Sequence, residues 1–311
     1  MTWSDTPDLK EEEMSKTKKA GTYRYLPPHM AEHLQNMGIA VRKQMDGGMQ
    51  GLHRSPAFGS SVEFAEYRPY VQGDPIRRID WSVYARTDRY VIRRFHDEVN
   101  IRAHVLLDTS ESMSYREQGS MSKMEYGCYL AACIMYMMIN QGDSAGLMTF
   151  DDDMRDMYEP AGSFVGLRPM LLGLEEIKPR GESNIEKALH KAAEMIKGRS
   201  FVVLISDLLQ DPRETLQGIG HLCYDGKDVT VFHVLDPGEL RLPDEGLIEV
   251  EFLESRHRMN VDISEFRELY LQRIREYLDE VRIGCTKEGA DYILVDTSTD
   301  IHDALLRRAA V

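Results

Sequence analysis

One short stretch has the residue types and spacing for metal chemistry. Asp108-Thr109-Ser110-Glu111-Ser112 reads D-x-S-x-S directly after the apolar run His104–Leu107. A carboxylate and two hydroxyls on one tight loop converge on a single point. Such hard oxygen donors suit Mg2+, Mn2+ or Ca2+ rather than a soft metal. With few protein charges around it, the cation keeps positive character for a carboxylate from outside. Two further pieces fit: Gly181-Glu182-Ser183-Asn184-Ile185 places a hydroxyl ahead of a helix, and Asp207 closes the β-branched run Phe201–Ser206.

The elements that must position these residues follow from the apolar pattern. From Arg102 onward, strands and helices alternate. Strands are read at His104–Leu107, Ser144–Phe150, Arg155–Tyr158 (short, at an edge), Phe201–Ser206, Val229–Leu235 and Asp291–Val295. Helices are read at Met124–Ile139, apolar nearly all round and therefore central, then Leu167–Ile177, Ile185–Ile196, Pro212–Cys223 and Asp300–Arg308. This alternation implies an α/β fold, a doubly wound, mostly parallel sheet with helices on both faces. In an open sheet of order 3-2-1-4-5-6, strands 1 and 4 lie side by side where the order reverses, and that crevice is the expected ligand site. Asp108 and Asp207 both open into it. Between residues 237 and 263 the alternation breaks. Leu247–Leu253 alternates apolar and acidic residues, as an amphipathic strand in a small hairpin would, and a helix with one apolar face follows from Ser264.

At these residues the chain resembles the von Willebrand factor A domain and its metal-ion-dependent adhesion site. That pattern is D-x-S-x-S, then a Thr, then an Asp; here it maps to Asp108, Ser110, Ser112, Ser183 and Asp207. The resemblance implies the sheet order given above, with an antiparallel edge strand. It also implies that the three hydroxyls bind the metal directly while the aspartates act mostly through water. One departure is that Ser183 stands where the family has Thr. A second resemblance lies upstream. Glu63–Tyr70, Gly73–Trp81 and Ala85-Arg86 are similar to the signature of the bacterial "domain of unknown function 58" family, and the resemblance extends over residues 50–308. Many members of that family have amino-terminal membrane spans, and none is read here. The kinship implies a partner in chaperone-like remodelling, an AAA+ ATPase of the MoxR type or its client.

Structural readings compete at several positions. Ser183 and Glu186 form S-x-x-E before an apolar helix, a capping box, and capping can coexist with a metal role. Asp108 and Asp207 could simply cap turns after their strands. Asp296-Thr297-Ser298 also reads D-x-S after a strand, but that strand belongs at the sheet edge, so Thr299 or Asp300 is read as a helix cap. Arg77, Arg78 and Arg86 either form salt bridges onto the acidic domain or bind a partner or phosphate. Trp81 is read as a packing anchor, and Asp151–Asp153 as a solvated turn. A helix is expected from Pro27-Pro28 through Met30, Leu34, Met37, Val41 and Met45, stopped by Gly47-Gly48. His29 and His33 sit one turn apart on it, but with no third ligand they are read as surface residues. The expected organisation is a flexible tail at 1–25, the helix and family-specific segment at 26–102 packed on the main domain, and that main domain at 103–311 with a β insertion at 237–263.

Charge locates the acidity. The chain's net charge is −14, and its negative excess lies wholly within residues 103–311, which carry 22 basic and 38 acidic residues, net −16, against +2 for the residues before them. That balance argues against general nucleic-acid binding and fits a cation. The four cysteines show no CxxC pair or metal spacing and are read as buried thiols. The amino terminus has no apolar run, and the stretch Tyr129–Ile139 is too short to span a bilayer, so a cytoplasmic protein is expected. No GxxxxGK[ST], GxGxxG after a strand or GxSxG occurs, so no enzyme is identified. The resulting reading is a divalent-metal-dependent protein-interaction module, with Mg2+ as first choice and a protein partner supplying a carboxylate. The alternatives are a metal-dependent phosphoester hydrolase, or a metal-free scaffold that binds through residues 51–102.

Overall fold

The structure, a computed structural model, describes residues 23–35, 37, 63–96, 100–224, 226–242, 247–252 and 257–309. The chain divides into two compact units, residues 1–42 with 101–311, and residues 43–100.

The smaller unit contains β1 (Glu63–Pro69) and β2 (Val91–His96), paired antiparallel with a register shift between Phe64 and Glu66. Between these strands lie a 3-10 turn at Ile76–Arg78 and a short helix, Trp81–Thr87. Its signature residues hold the unit's own architecture. Arg68 grips Asp74 through two parallel hydrogen bonds of 2.8 and 2.6 Å, the strong bidentate geometry of a guanidinium on a carboxylate. Asp80 caps the helix, accepting from the Ser82 and Val83 amides at 3.0 and 3.3 Å. Trp81 is more than half exposed and meets Tyr84 edge-on, while Tyr84 stacks on Tyr90.

The larger unit begins with α1 (Pro28–Leu34); the helix of the smaller unit follows as α2 (Trp81–Thr87). The rest runs β3 (Arg102–Asp108), α3 (Lys123–Asn140), β4 (Ser144–Phe150), β5 (Met154–Ala161), α4 (Phe164–Glu176), α5 (Ile185–Met195), β6 (Phe201–Ser206), α6 (Pro212–Tyr224) and β7 (Asp228–Leu235). It continues with a single helical turn α7 (Pro237–Leu240), β8 (Leu247–Phe252), β9 (His257–Asp262), α8 (Ile263–Glu288), β10 (Asp291–Asp296) and α9 (Ile301–Ala309).

Six strands form one sheet in the order β10-β7-β6-β3-β4-β5. Every neighbouring pair is parallel except β4 with β5. Counting the strands of this sheet alone in chain order, that is 3-2-1-4-5-6 with an antiparallel edge strand, as expected. In a separate two-stranded sheet, β8 and β9 pair antiparallel as the expected small hairpin.

Strand alternation splits the core into two layers. Ala103, Val105 and Leu107 of β3 and Val203 and Ile205 of β6 face one way, onto α3, α4, α1 and α9. Leu106 of β3 and Val202 and Leu204 of β6 face the other, onto α5 and α6 and the Val281–Cys285 end of α8. α3 is buried almost all round, as its sequence requires. All four cysteines are free thiols, and burial pushes each up to about 12, so they stay protonated and inert.

Three local expectations are corrected. α1 ends at Leu34, because the chain tightens into three-back bonds (Met37 N to Leu34 O, 3.1 Å) and Asn140 of α3 donates to the Gln35 carbonyl at 3.0 Å. The remainder of that expected helix, residues 38–47, lies outside the described residues. The edge strand extends beyond Arg155–Tyr158 to Met154–Ala161, since Ala161 still pairs with Ala145; charged Asp156 and Glu159 hide the alternation. Asp151 is not solvated: it is fully buried and accepts the Arg155 guanidinium, while Asp153 accepts Lys187 and Lys191.

Candidate functional site

The carboxyl ends of β3 and β6 are adjacent in the parallel ladder, with Leu107 paired to Ile205. The chain runs outward from β3 to β4 and β5, then returns to β6 and runs the other way. Asp108 ends β3 and Asp207 directly follows β6, so both carboxylates emerge at the point where the order reverses.

Asp108 is fully buried, and three donors converge on it. Its Oδ1 accepts from the Ser110 amide at 2.9 Å, closing a tight turn. Its Oδ2 accepts from Ser206 Oγ at 2.7 Å and from Ser183 Oγ at 3.2 Å. On the same loop, the Ser110 and Ser112 hydroxyls meet at 3.1 Å. Two backbone bonds stitch this loop to the Ser183 loop: Glu111 N to Gly181 O at 2.9 Å and Arg180 N to Thr109 O at 3.0 Å. Thus Asp108, Ser110, Ser112 and Ser183 are brought together. Ser183 is not the cap of α5. Asn184 takes that role, accepting from the Lys187 amide at 3.0 Å, and the Ser183 hydroxyl is left to face Asp108.

Asp207 has a partner that the sequence reading missed. Lys123, at the first position of α3, is completely buried and places its Nζ 2.7 Å from Asp207 Oδ2 and 2.9 Å from Glu239 Oε1. The ammonium also lies 5.5 Å above the Tyr115 ring. Burial works against its charge, but Asp207 and Glu239 outweigh burial and hold it protonated. The signal was present in the sequence: Ser122-x-x-Glu125 is a capping box that fixes the helix start, and a lysine on a helix buried all round needs an acid.

Asp236, which directly follows β7, gathers a set of backbone amides. Its buried carboxylate accepts from the amides of Glu117, Gln118, Gly119 and Gly238 at 3.2, 3.0, 3.0 and 2.7 Å. Burial raises its carboxyl pKa, but the four amides prevail and hold it below the usual carboxylate range. A side chain at Gly119 would place its Cβ 2.8 Å from Asp236 Oδ2 and 2.0 Å from Thr297 Oγ1, so only glycine fits. The Asp207 carbonyl accepts from His233 Nε2 at 2.9 Å, which makes His233 Nδ1 the acceptor for the Tyr292 hydroxyl at 2.7 Å. Burial holds that imidazole neutral, with its pKa lowered to about 4.

The electrostatics leave a deficit of positive charge. Burial, and then the neighbouring charge of Asp207, raise the Asp108 carboxyl to about 6. Against the carboxylates of Asp108, Asp207 and Glu239, Lys123 supplies one positive charge. A cluster of hard oxygen donors with surplus negative charge fits a divalent cation such as Mg2+. The residues that would hold it are Asp108, Ser110, Ser112, Ser183 and Asp207; Ser112 and Ser183 are half-buried and form the side open to solvent.

The remaining residues singled out by sequence lie elsewhere. Arg77 and Arg86 are exposed in the smaller unit, with Arg86 Nε donating to the Ser82 carbonyl at 3.2 Å. The Arg78 side chain lies outside the described residues. Asp296 sits on edge strand β10, far along the sheet from β3, and accepts from the Ser298 amide; Asp300 caps α9, accepting from the His302 amide at 2.8 Å. His29 and His33 are exposed.

Residues 66–279 match the family profile described as "Protein of unknown function DUF58". The chain belongs to the DUF58 family. Among its relatives are the uncharacterized proteins Mb1516 of Mycobacterium bovis and Rv1480 of Mycobacterium tuberculosis. Each is 25% identical over 232 residues, covering 73% of this chain and 72% of theirs. Solved structures similar to this DUF58 chain include BatB from Bacteroides thetaiotaomicron, at 17% identity and a TM-score of 0.45, covering 68% of this chain and 98% of that one. An aerotolerance-related membrane protein from Bacteroides fragilis is similar at 18% identity and a TM-score of 0.46, covering 68% and 99%. The VWA domain of SpRpn10 is similar at 12% identity and a TM-score of 0.41, covering 68% and 95%. Among the described residues of this DUF58 protein, no helix is long and apolar enough to cross a membrane.

Proposed function

We propose that this DUF58 protein is a cytoplasmic, divalent-metal-dependent protein-interaction module. Mg2+, or Mn2+ or Ca2+ in its place, is held by Asp108, Ser110, Ser112, Ser183 and Asp207, and a carboxylate from a protein partner completes its coordination. The observation that carries this reading is the convergence of the Ser183 and Ser206 hydroxyls on the buried Asp108 carboxylate, beside the paired Ser110 and Ser112 hydroxyls, at the point of strand-order reversal. When bound, the cation supplies a Lewis-acidic site for an incoming carboxylate. The chain's own contribution is to fix the hydroxyls, exclude water from the Asp108 side and bias the charge balance toward a cation.

The partner proposed is an AAA+ ATPase of the MoxR type, or its client, in chaperone-like remodelling. The test is capture of the MoxR-type ATPase of the same organism on immobilised full-length chain. Capture in Mg2+ that is lost in EDTA and in Asp108→Ala supports the reading. Capture unchanged by both would overturn it, and its loss in Arg77→Glu would point instead to the metal-free surface of the smaller unit.

A further inference from the structure

The chain after Asp207 folds back toward the Ser183 loop through a strained turn. Leu208 has a φ of 50°, in the left-handed region that a residue other than glycine rarely enters. Its side chain is fully buried in the core layer shared with α5, α6 and α8, and that packing holds the strained backbone in place. Its amide donates to Ser206 Oγ at 3.0 Å. Its carbonyl accepts from the Gln210 amide at 2.7 Å and from the Tyr277 hydroxyl of α8.

This turn sets the half-buried Gln210 against the start of α5, where its side chain holds two backbone groups of the Ser183 loop. Oε1 accepts from the Ile185 amide at 2.9 Å, and Nε2 donates to the Ser183 carbonyl. Ile185 is the first residue of α5, so its amide has no partner within the helix. Asn184 takes the Lys187 amide, and Gln210, from another loop, takes this one. The backbone is thus pinned on both sides of Asn184. The Ser183 hydroxyl in turn donates to Asp108 Oδ2, the oxygen that also accepts from Ser206 Oγ. The hydrogen bonds close a ring from Asp108 through Ser206, Leu208, Gln210 and Ser183 back to Asp108.

We propose that Gln210 is a positioning residue of the cation site, acting through Ser183: its clamp holds the Ser183 hydroxyl on the Asp108 side, where a divalent ion would meet it. The inference rests on the metal reading of Asp108 and its hydroxyls. Gln210 is not itself a ligand, because both ends of its carboxamide are spent on backbone groups. A side chain that donates and accepts at once is what those two groups require. Methionine supplies neither function, and asparagine is one methylene too short to reach both. Outer partners that orient metal ligands in this way are worth about ten- to hundredfold in affinity.

The test is calorimetric Mg2+ titration of the full chain, with hydrogen exchange of the Ile185 amide read alongside. Gln210→Met and Gln210→Asn each weaken Mg2+ binding by about tenfold and speed Ile185 exchange, while circular dichroism shows both variants folded. In a Ser183→Ala background, Gln210→Met weakens binding no further, because it acts through that hydroxyl; a general loosening of the fold would add its own loss. Affinity unchanged in both Gln210 variants, Ile185 exchange unchanged in both, or a loss that adds in full to that of Ser183→Ala, overturns the proposal. Binding that needs Asp108 but ignores Gln210 overturns this proposal alone. A wild type that binds no Mg2+, or binds it no better than Asp108→Ala, overturns the metal reading and this proposal with it.

Discussion

Lys123 Nζ stands 2.7 Å from Asp207 Oδ2, with both side chains removed from solvent. The pair joins the first turn of α3 to the end of β6, and through Glu239 it reaches α7 as well. Removing one member of a buried ion pair leaves the other charged and without a partner, which costs more than the pair contributes in total. Lys123→Met should therefore lower stability by about 3–5 kcal/mol. Urea unfolding followed by circular dichroism measures this. A loss below about 1 kcal/mol, the range of an exposed pair, would contradict the burial of Lys123.

Ser183 and Asn184 separate two roles that one sequence motif confuses. Asn184 caps α5, whereas Ser183 turns its hydroxyl to Asp108. Asn184→Ala should cost about 1 kcal/mol in urea unfolding and leave Mg2+ affinity unchanged. Ser183→Ala should weaken Mg2+ binding with little effect on stability. The reverse assignment in paired unfolding and titration experiments would restore the capping box as the role of Ser183.

The Asp108 carboxyl is raised to about 6, first by burial and then by Asp207. In the unfolded chain an aspartate titrates near ~4. A carboxyl raised on folding contributes stability below its unfolded value, and that contribution is lost as pH rises through its folded value. In metal-free buffer, Asp108→Asn should thus be more stable than wild type at about pH 7.5, with the gap closing toward about pH 5. Added Mg2+ should raise the wild-type melting temperature more at the higher pH, because the cation takes the ionised carboxylate. Thermal unfolding with and without Mg2+ reads both effects, and a Mg2+ increment that grows toward acid would contradict them.

Asp236 follows β7 and Asp296 ends β10, but they differ in depth. Asp236 satisfies four backbone amides, whereas Asp296 bonds its own exposed turn. Asp236→Ala orphans those amides and should cost more than about 2 kcal/mol, while Asp296→Ala should stay within about 0.5 kcal/mol. Equal losses in chemical denaturation would contradict the four-amide role of Asp236.

The sequence made the sheet legible because buried parallel strands are near-continuous apolar runs, and β3, β6 and β7 are of that kind, broken inside only by His104, Thr230 and His233. It also marked Asp108 and Asp207, since each carboxylate closes such a run. The partners of those aspartates stayed hidden. Lys123 and Asp207 are 84 residues apart, and Lys123 and Glu239 are 116 apart; no local period links them. Ser206 was counted as the end of a strand, although its hydroxyl holds Asp108. Gln210 was hidden for the same reason: it is 27 residues from Ser183 and 25 from Ile185, and only the turn at Leu208 brings it to them.

The central claim is that Asp108 and its hydroxyls collect a divalent cation. Calorimetric titration with Mg2+, on wild type and on Asp108→Ala shown to be folded, tests it most directly. The expected result is one Mg2+ per wild-type chain and an affinity lowered by more than about tenfold in the variant. Equal affinities in the two proteins would contradict it.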